Sequence, residues 1–333
     1  MSRPRSEETV AEVFRRMAKD SFERGGSPLY ARLAREHADD PVLTEIGEGH
    51  EPRWEVPLRL FGGLHLLALT GEEPDPWSRL PEVLRDRREW LAEFVATQPV
   101  QTNEVQRCWA LLPAFLTVAD GRPLALVELG PSAGLNLLWD RYGYRYPGAS
   151  WGFADAGLVL EGEATEAPEP RLFDTEVTIG ARLGIDQAPI DLTEERQALL
   201  LQCFVWADQT ERLERLRGAI EIARRDPPRL VAGDYVERLP ALLAKRRPEA
   251  LTLVFNSATT GYLPRADRAR LEDSIAEAGR EGGLARVSYE FLDDGDEPVA
   301  DFEAFRLEVE TWPGGRRLVA RTDGHGNRMR WVA

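Results

Sequence analysis

Residues 124–142 read LALVELGPSAGLNLLWDRY, and the reading of this stretch decides the fold. Leu124, Leu126, Val127 and Leu129 form an apolar run short enough for a buried parallel strand, while Leu135, Leu138 and Trp139 recur at helical spacing. Between them, Gly130 and Gly134 bracket a tight turn, where a missing Cβ permits left-handed backbone and lets another group come close to the main chain. Backbone N–H groups opening the predicted helix face the same space, so a ligand site is expected at the carboxyl end of this strand.

Downstream, the chain keeps a clear rhythm. Residues 229–232 predict a strand ending at Gly233-Asp234-Tyr235, with a helix over 239–243; residues 251–255 predict a strand ending at Asn256-Ser257, with a helix over 267–278; residues 284–292 predict one more strand. Strand and helix in alternation indicate a parallel sheet with right-handed crossovers. The close reads as antiparallel: 305–311, a turn at 312–315, 317–321, a loop at 323–327, then 328–332. Residues 142–147 and the acidic, Pro-rich 161–170 read as irregular, short strands are expected at 158–160 and 176–179, and 184–191 reads as a strand end and loop.

Upstream, the pattern is helical from Val10 to about Ala119, with breaks at 25–28, 40–41, 50–52 and 71–76. This predicts a helical subdomain over 1–120, acting as a lid, and an α/β domain over 121–333. His65 has apolar neighbours on every side and is expected in the core. Gln101, Thr102, Asn103, Glu104 and Gln106 open a helix that continues through Cys108 and Trp109. Thr102 or Asn103 is a suitable cap for it. The other reading turns these amides and the carboxylate toward the pocket above Gly130, because the chain passes directly from this helix into the central strand.

Composition narrows the function. The 333 residues are 43% hydrophobic and 30% charged, as in a soluble globular protein with more than one compact unit. A net charge of −15 argues against binding nucleic acid through its phosphates and against docking on anionic membranes, and leaves a small molecule as the expected partner. No apolar run spans a bilayer and the N-terminus lacks a secretory segment, so the cytoplasm is the expected location. Cys108 and Cys203 lie in apolar surroundings and read as reduced, buried thiols. The four histidines have no metal-ligand spacing, so no metal centre is indicated.

Two chemistries overlay the glycine turn. Gly130-Pro131-Ser132-Ala133-Gly134 is G-x-S-x-G, the nucleophile-elbow pattern, and Asp294 or Asp296 followed by His325 come in the order that such serine hydrolases use. Those enzymes need several strands ahead of the elbow, one of them supplying an oxyanion donor worth two or three orders of magnitude in rate, roughly. Here the preceding residues are helical. Glu128 close to a nucleophilic serine also disfavours a developing anion.

Read as Glu128-x-Gly130-x-Ser132-x-Gly134, the same residues resemble the first motif of class I S-adenosylmethionine (SAM) methyltransferases, with Ser132 in place of the middle glycine. The resemblance implies an α/β fold with a Rossmann-like SAM-methyltransferase-type sheet, an N-terminal helical subdomain and a C-terminal antiparallel hairpin. It implies SAM as cofactor, held at Glu128, Gly130, Ser132, Ala133, Gly134 and Asn136. A ribose carboxylate is implied at Asp186, with Glu161 or Glu163 as alternatives, and an adenine site at Asp234 with Tyr235. Asn256 completes the cofactor residues, while Ser257 with Gln101, Asn103 and Glu104 faces a small methyl acceptor. Asn256-Ser257 departs from the N-P-P-Y pattern of amine methyltransferases, so an amino-group target is not supported. The sulfonium already carries the activation, which makes positioning the main task; Asp208, Tyr262 and His325 are candidates for an optional base.

The expected activity is a SAM-dependent transferase methylating a small molecule. The alternatives are a serine hydrolase using Ser132 and a non-catalytic protein binding SAM or a nucleoside. The runs QTNEVQRCWALLP, VELGPSAGLNLLWDRYGYRY, GIDQAPIDL, WADQTERLERLRGAIEIAR and FNSATTGYLP are similar to an uncharacterised bacterial family designated domain of unknown function 2332. That similarity covers nearly the whole chain and implies no established activity.

Overall fold

A computed structural model describes residues 8–153, 155–292 and 302–333. The chain divides into two compact units, Met1–Thr102 with Thr193–Arg217, and Asn103–Leu192 with Gly218–Ala333.

The first unit is helical, and its helix starts follow local capping chemistry. Thr9 and Glu12 form a reciprocal capping box at the head of helix Val10–Met17. Ser27 and Asp40 cap helices Pro28–Glu36 and Pro41–Gly47, each of which carries proline in its first turn, so these two breaks are legible as Ser-Pro and Asp-Pro. The apolar helix Val56–Thr70 ends at Gly71 in the left-handed conformation. Phe14, Phe22, Tyr30 and Phe61 meet through ring contacts of 4.6–5.9 Å in the core of this unit. His65 is a core residue: its Nδ1 lies 2.9 Å from the Val205 carbonyl and 3.2 Å from that of Cys203, and burial lowers its pKa. Among the described residues, no helix is long and apolar enough to cross a membrane.

The second unit is built on a mixed, mostly parallel α/β sheet. Its described strands are β1 (Leu124–Leu129), β5 (Glu163–Glu166), β6 (Ile179–Asp186), β7 (Leu230–Ala232), β8 (Leu251–Ser257), β9 (Leu284–Phe291), β10 (Phe305–Thr311), β11 (Gly315–Thr322) and β12 (Arg328–Trp331). They lie in the order β5-β12-β11-β10-β9-β8-β1-β6-β7. From β7 to β9 neighbouring strands are parallel; β9 to β12 form an antiparallel meander, and β5 pairs parallel with β12. A separate small sheet joins β2 (Gly143–Tyr146), β3 (Ala149–Trp151) and β4 (Val159–Glu161). Residues 142–147, expected to be irregular, form β2 because Tyr144 and Tyr146 are buried while Arg145 points out, a period of two that three aromatic residues obscure.

The chain runs from β1 outward to β6 and β7, then crosses back to β8 on the other side of β1. The carboxyl ends of β1 and β8 therefore flank a topological switch point, the place where open α/β sheets leave a crevice. Paired residues in register share a face, and Glu128 pairs with Phe255 while Leu129 pairs with Asn256. Glu128 thus faces helix Arg107–Val118, whose Phe115 packs 5.1 Å from both Phe255 and Trp139. Those contacts place this helix in the second unit although it precedes residue 120. Asn256 lies on the opposite face, where helices Tyr235–Leu243 and Arg265–Arg280 cover Val127, Leu129 and Val254.

A candidate functional site at the carboxyl ends of β1 and β8

The turn after β1 is left-handed at three alternate positions, Gly130 (φ +66°), Ser132 (φ +56°) and Gly134 (φ +74°). Glycine is needed twice for a second reason. A Cβ on Gly130 would lie 2.3 Å from Thr259 Oγ1, and one on Gly134 would lie 2.8 Å from Pro228. The close approach expected from a ligand is therefore made by the chain's own side chains. Ser132 holds the same conformation with a Cβ, at a cost of about 1–2 kcal/mol. Its N–H donates to Asp186 Oδ2 at 2.8 Å, and its carbonyl accepts from Ile190 N at 3.1 Å. Asp186 also accepts from Ala188 N at 2.9 Å and, through its carbonyl, from Gly233 N at 2.8 Å, so this one residue ties together the ends of β1, β6 and β7. Glu161 and Glu163 lie elsewhere: Glu161 pairs with Arg145 beside the small sheet, and Glu163 sits on β5 at the opposite edge of the large one, paired with Arg328.

The helix expected after the turn is a 3-10 segment, Leu135–Arg141, with non-helical backbone at Leu138. The Tyr142 and Tyr144 hydroxyls donate to the Leu135 and Trp139 carbonyls, and the Trp139 carbonyl also accepts from Tyr142 N, three residues on. Asn103 caps this segment, accepting from Leu135 N at 2.9 Å, instead of capping helix Arg107–Val118, which has no side-chain cap. Glu104 is buried and accepts from Gln106 N. Gln106 donates to the Glu161 and Gly326 carbonyls and leaves Oε1 without a partner. Gln101 belongs to the helical unit.

Glu128 is 1% exposed. Burial pushes its pKa up to about 8, opposed by a hydrogen bond from the Asn136 side chain, raised further by the Asp186 charge, and lowered by Arg107 and the Leu137 backbone. Cys108 Sγ donates to Asn136 Oδ1 at 3.2 Å, completing a buried Cys108–Asn136–Glu128 chain. Glu128 Oε2 and Ser132 Oγ are both buried and without a partner. Cys108 and Cys203 are free and buried, and burial raises both thiols.

At the end of β8, Asn256 is fully buried and donates to Glu290 Oε1 at 2.8 Å, leaving its own Oδ1 unpartnered. Glu290 also accepts from the backbone N–H groups of Thr259, Thr260 and Gly261 and from the Thr260 hydroxyl. This shapes the loop that sets Thr259 against Gly130, with Ala258 at φ +55°. Ser257 accepts a hydrogen bond from Arg107 Nη1 at 3.2 Å. Asp234 caps helix Tyr235–Leu243, accepting from Val236 N at 2.7 Å, and Tyr235 is buried beside Thr259, with a pKa raised by burial.

The three base candidates are scattered. Asp208 accepts from Ser27 Oγ at 2.6 Å and Leu29 N at 2.9 Å inside the helical unit, a structural clamp. Tyr262 is exposed, edge-on to Phe291. His325 lies in a loop stitched by Asp323, which accepts from Gly326 N and Asn327 N. Asp294 and Asp296 lie outside the described residues. Arg107, Thr259 and Glu290 are the site residues that the motifs did not reveal. Only Glu290 left a signal, an acid within the apolar strand VSYEF. Among the described residues, no cluster of three or more His, Cys, Asp or Glu side chains is arranged to hold a metal ion.

A search of curated proteins finds no match. The family model described as an uncharacterized protein conserved in bacteria, DUF2332, matches residues 11–331, and the chain belongs to that family.

Proposed function

We propose that the protein is a SAM-dependent transferase that methylates a small molecule at the switch point between β1 and β8. The observation that carries this reading is a pair of buried, unpartnered oxygens, Glu128 Oε2 and Ser132 Oγ, at the end of β1 and in the turn that follows it. Buried polar atoms without partners are few in native proteins and call for a ligand or water. A carboxyl and a hydroxyl fit a molecule rich in hydroxyl and amino groups, as SAM is. Asp186 supports the reading further, since its carboxylate at the end of β6 already meets the glycine turn.

When bound, the cofactor supplies an activated methyl group. The chain's work is then to bind and align: the turn 130–134 and Asp186 hold the donor, Asp234 fixes the next helix start, and Ser257 lies on the acceptor side. Asp208 is taken up by Ser27 and Leu29 and Tyr262 is exposed, and this lack of a placed base favours a second reading, a SAM- or nucleoside-binding protein without catalysis.

Calorimetric titration of SAM tests the proposal. Binding is expected in the wild type and at least about tenfold weaker in Asp186→Ala, the loss of one charged hydrogen bond. No heat with SAM, S-adenosylhomocysteine or adenosine overturns it, and binding of adenosine alone at undiminished affinity selects the second reading.

A further inference from the structure

Arg107 is the cation of this site, and it is held without a counter-charge. Its Nε donates to the Gly324 carbonyl at 2.9 Å, and Nη1 donates to the Ser257 carbonyl and hydroxyl at 3.3 and 3.2 Å. Its guanidinium lies 5.7 Å from the Tyr289 ring and 6.0 Å from the Phe305 ring. Nη2 has no hydrogen-bond partner, and Arg107 makes no ion pair, among the described residues. Three other sheltered arginines are paired with carboxylates: Arg59 meets Glu55 at 2.5 Å, Arg182 meets Asp140 at 2.5 Å, and Arg286 meets Glu272 at 2.7 Å. Glu128 does not neutralise Arg107 at neutral pH, because burial keeps that acid mostly protonated. In a chain with 57 acidic and 42 basic side chains, a half-buried arginine fixed by carbonyls and rings yet left unpaired is a charge kept for something else.

We propose that Arg107 anchors a carboxylate of the ligand bound at the ends of β1 and β8. Three protein contacts and two rings already fix the guanidinium, so little entropy is lost when its free Nη2 edge takes an anionic oxygen. The inference rests on the SAM reading only for the identity of the donor. The carboxylate belongs either to the donor's amino-acid end or to the acceptor.

Calorimetry with benzoate, acetate, SAM and decarboxylated SAM separates these sources, using wild type, Arg107→Gln, Arg107→Lys and, as a control that removes a surface arginine paired with Asp120, Arg122→Gln. Thermal unfolding identifies any variant that fails to fold; in that case Arg107→Lys, which keeps the charge but loses the fork, carries the comparison. At least one carboxylate is expected to bind wild type and Arg122→Gln alike, about tenfold or more weaker in Arg107→Gln, with Arg107→Lys between. A loss confined to SAM and absent for decarboxylated SAM assigns the donor's carboxylate; a loss for benzoate or acetate with SAM unaffected assigns the acceptor's. If SAM binds none of the proteins while benzoate still depends on Arg107, the donor reading fails and the anchor stands. Equal binding of every carboxylate by wild type and Arg107→Gln, or binding of none, overturns the anchor.

Discussion

Glu128 on β1 and Glu290 on β9 are both buried acids near the carboxyl edge of one sheet, at 1% and 5% exposure, yet their surroundings differ. Glu290 is saturated: three backbone N–H groups, an amide and a hydroxyl converge on it and shape the loop after β8. Glu128 receives hydrogen bonds from Asn136 and the Leu137 backbone and keeps one oxygen unpartnered. A saturated buried carboxylate explains itself as architecture, whereas an unsaturated one points to a ligand. The difference separates the loop after β8, held by a saturated carboxylate, from the end of β1, where an acid keeps an unpartnered oxygen.

The largest test of this contrast is Glu290→Ala. It orphans several buried donors at once, so unfolding in urea should show a loss of about 3 kcal/mol or more. A loss under about 1 kcal/mol would mean that the loop holds its shape without the carboxylate, and the contrast would collapse.

Glu128 should instead reveal itself through pH. The unfolded chain releases this proton near the ordinary value of 4.5, while the folded chain holds it to about 8. Between those values the folded state binds the extra proton, so this group makes stability fall as pH rises, with the loss complete above about 8. Glu128→Gln should flatten that part of the stability profile and leave stability near pH 5 little changed. An unaltered slope between pH 5 and 8 would show that Glu128 ionises normally.

Ser132 gives a smaller effect. Ser132→Gly removes a side chain from left-handed backbone and should raise stability by up to about 1 kcal/mol, offset in part by the freer unfolded chain. Its Oγ has no partner among the described residues, so a fluorophosphonate probe should leave it unlabelled. Labelling abolished by Ser132→Ala would make the turn a nucleophile elbow.

The smallest effect concerns Asp234. Thermal unfolding should show a loss of about 1 kcal/mol in Asp234→Ala and almost none in Asp234→Asn, because an amide oxygen still caps the helix. Weaker SAM binding in Asp234→Asn at unchanged stability would add adenine recognition to its capping role. Equal SAM affinity in both variants would remove Asp234 from the site.

Much of the second unit was legible because its signals are local. The apolar runs at β1, β8 and β9, the helices between them and the turns of the closing meander announce themselves by periodicity and by Gly, Pro and Asp at their ends. Asp186 and Asp234 were recognisable as acids ending strands. The 3-10 segment after the turn was not, since Leu135, Leu138 and Trp139 fit helical spacing and nothing local announces the non-helical backbone at Leu138. Asn103 looked like a cap for the helix next to it and caps another segment.

By itself, then, the sequence determined where most strands, helices and turns of the large sheet fall and which short motif forms the turn after β1, because propensity and turn chemistry act over a few residues. Tertiary structure decided what each site residue faces. Thr259 over Gly130, five donors on Glu290 and an arginine without a counter-ion all depend on segments distant along the chain. Burial and partner count decide whether a polar group is architecture or function, and both are properties of the packed chain alone.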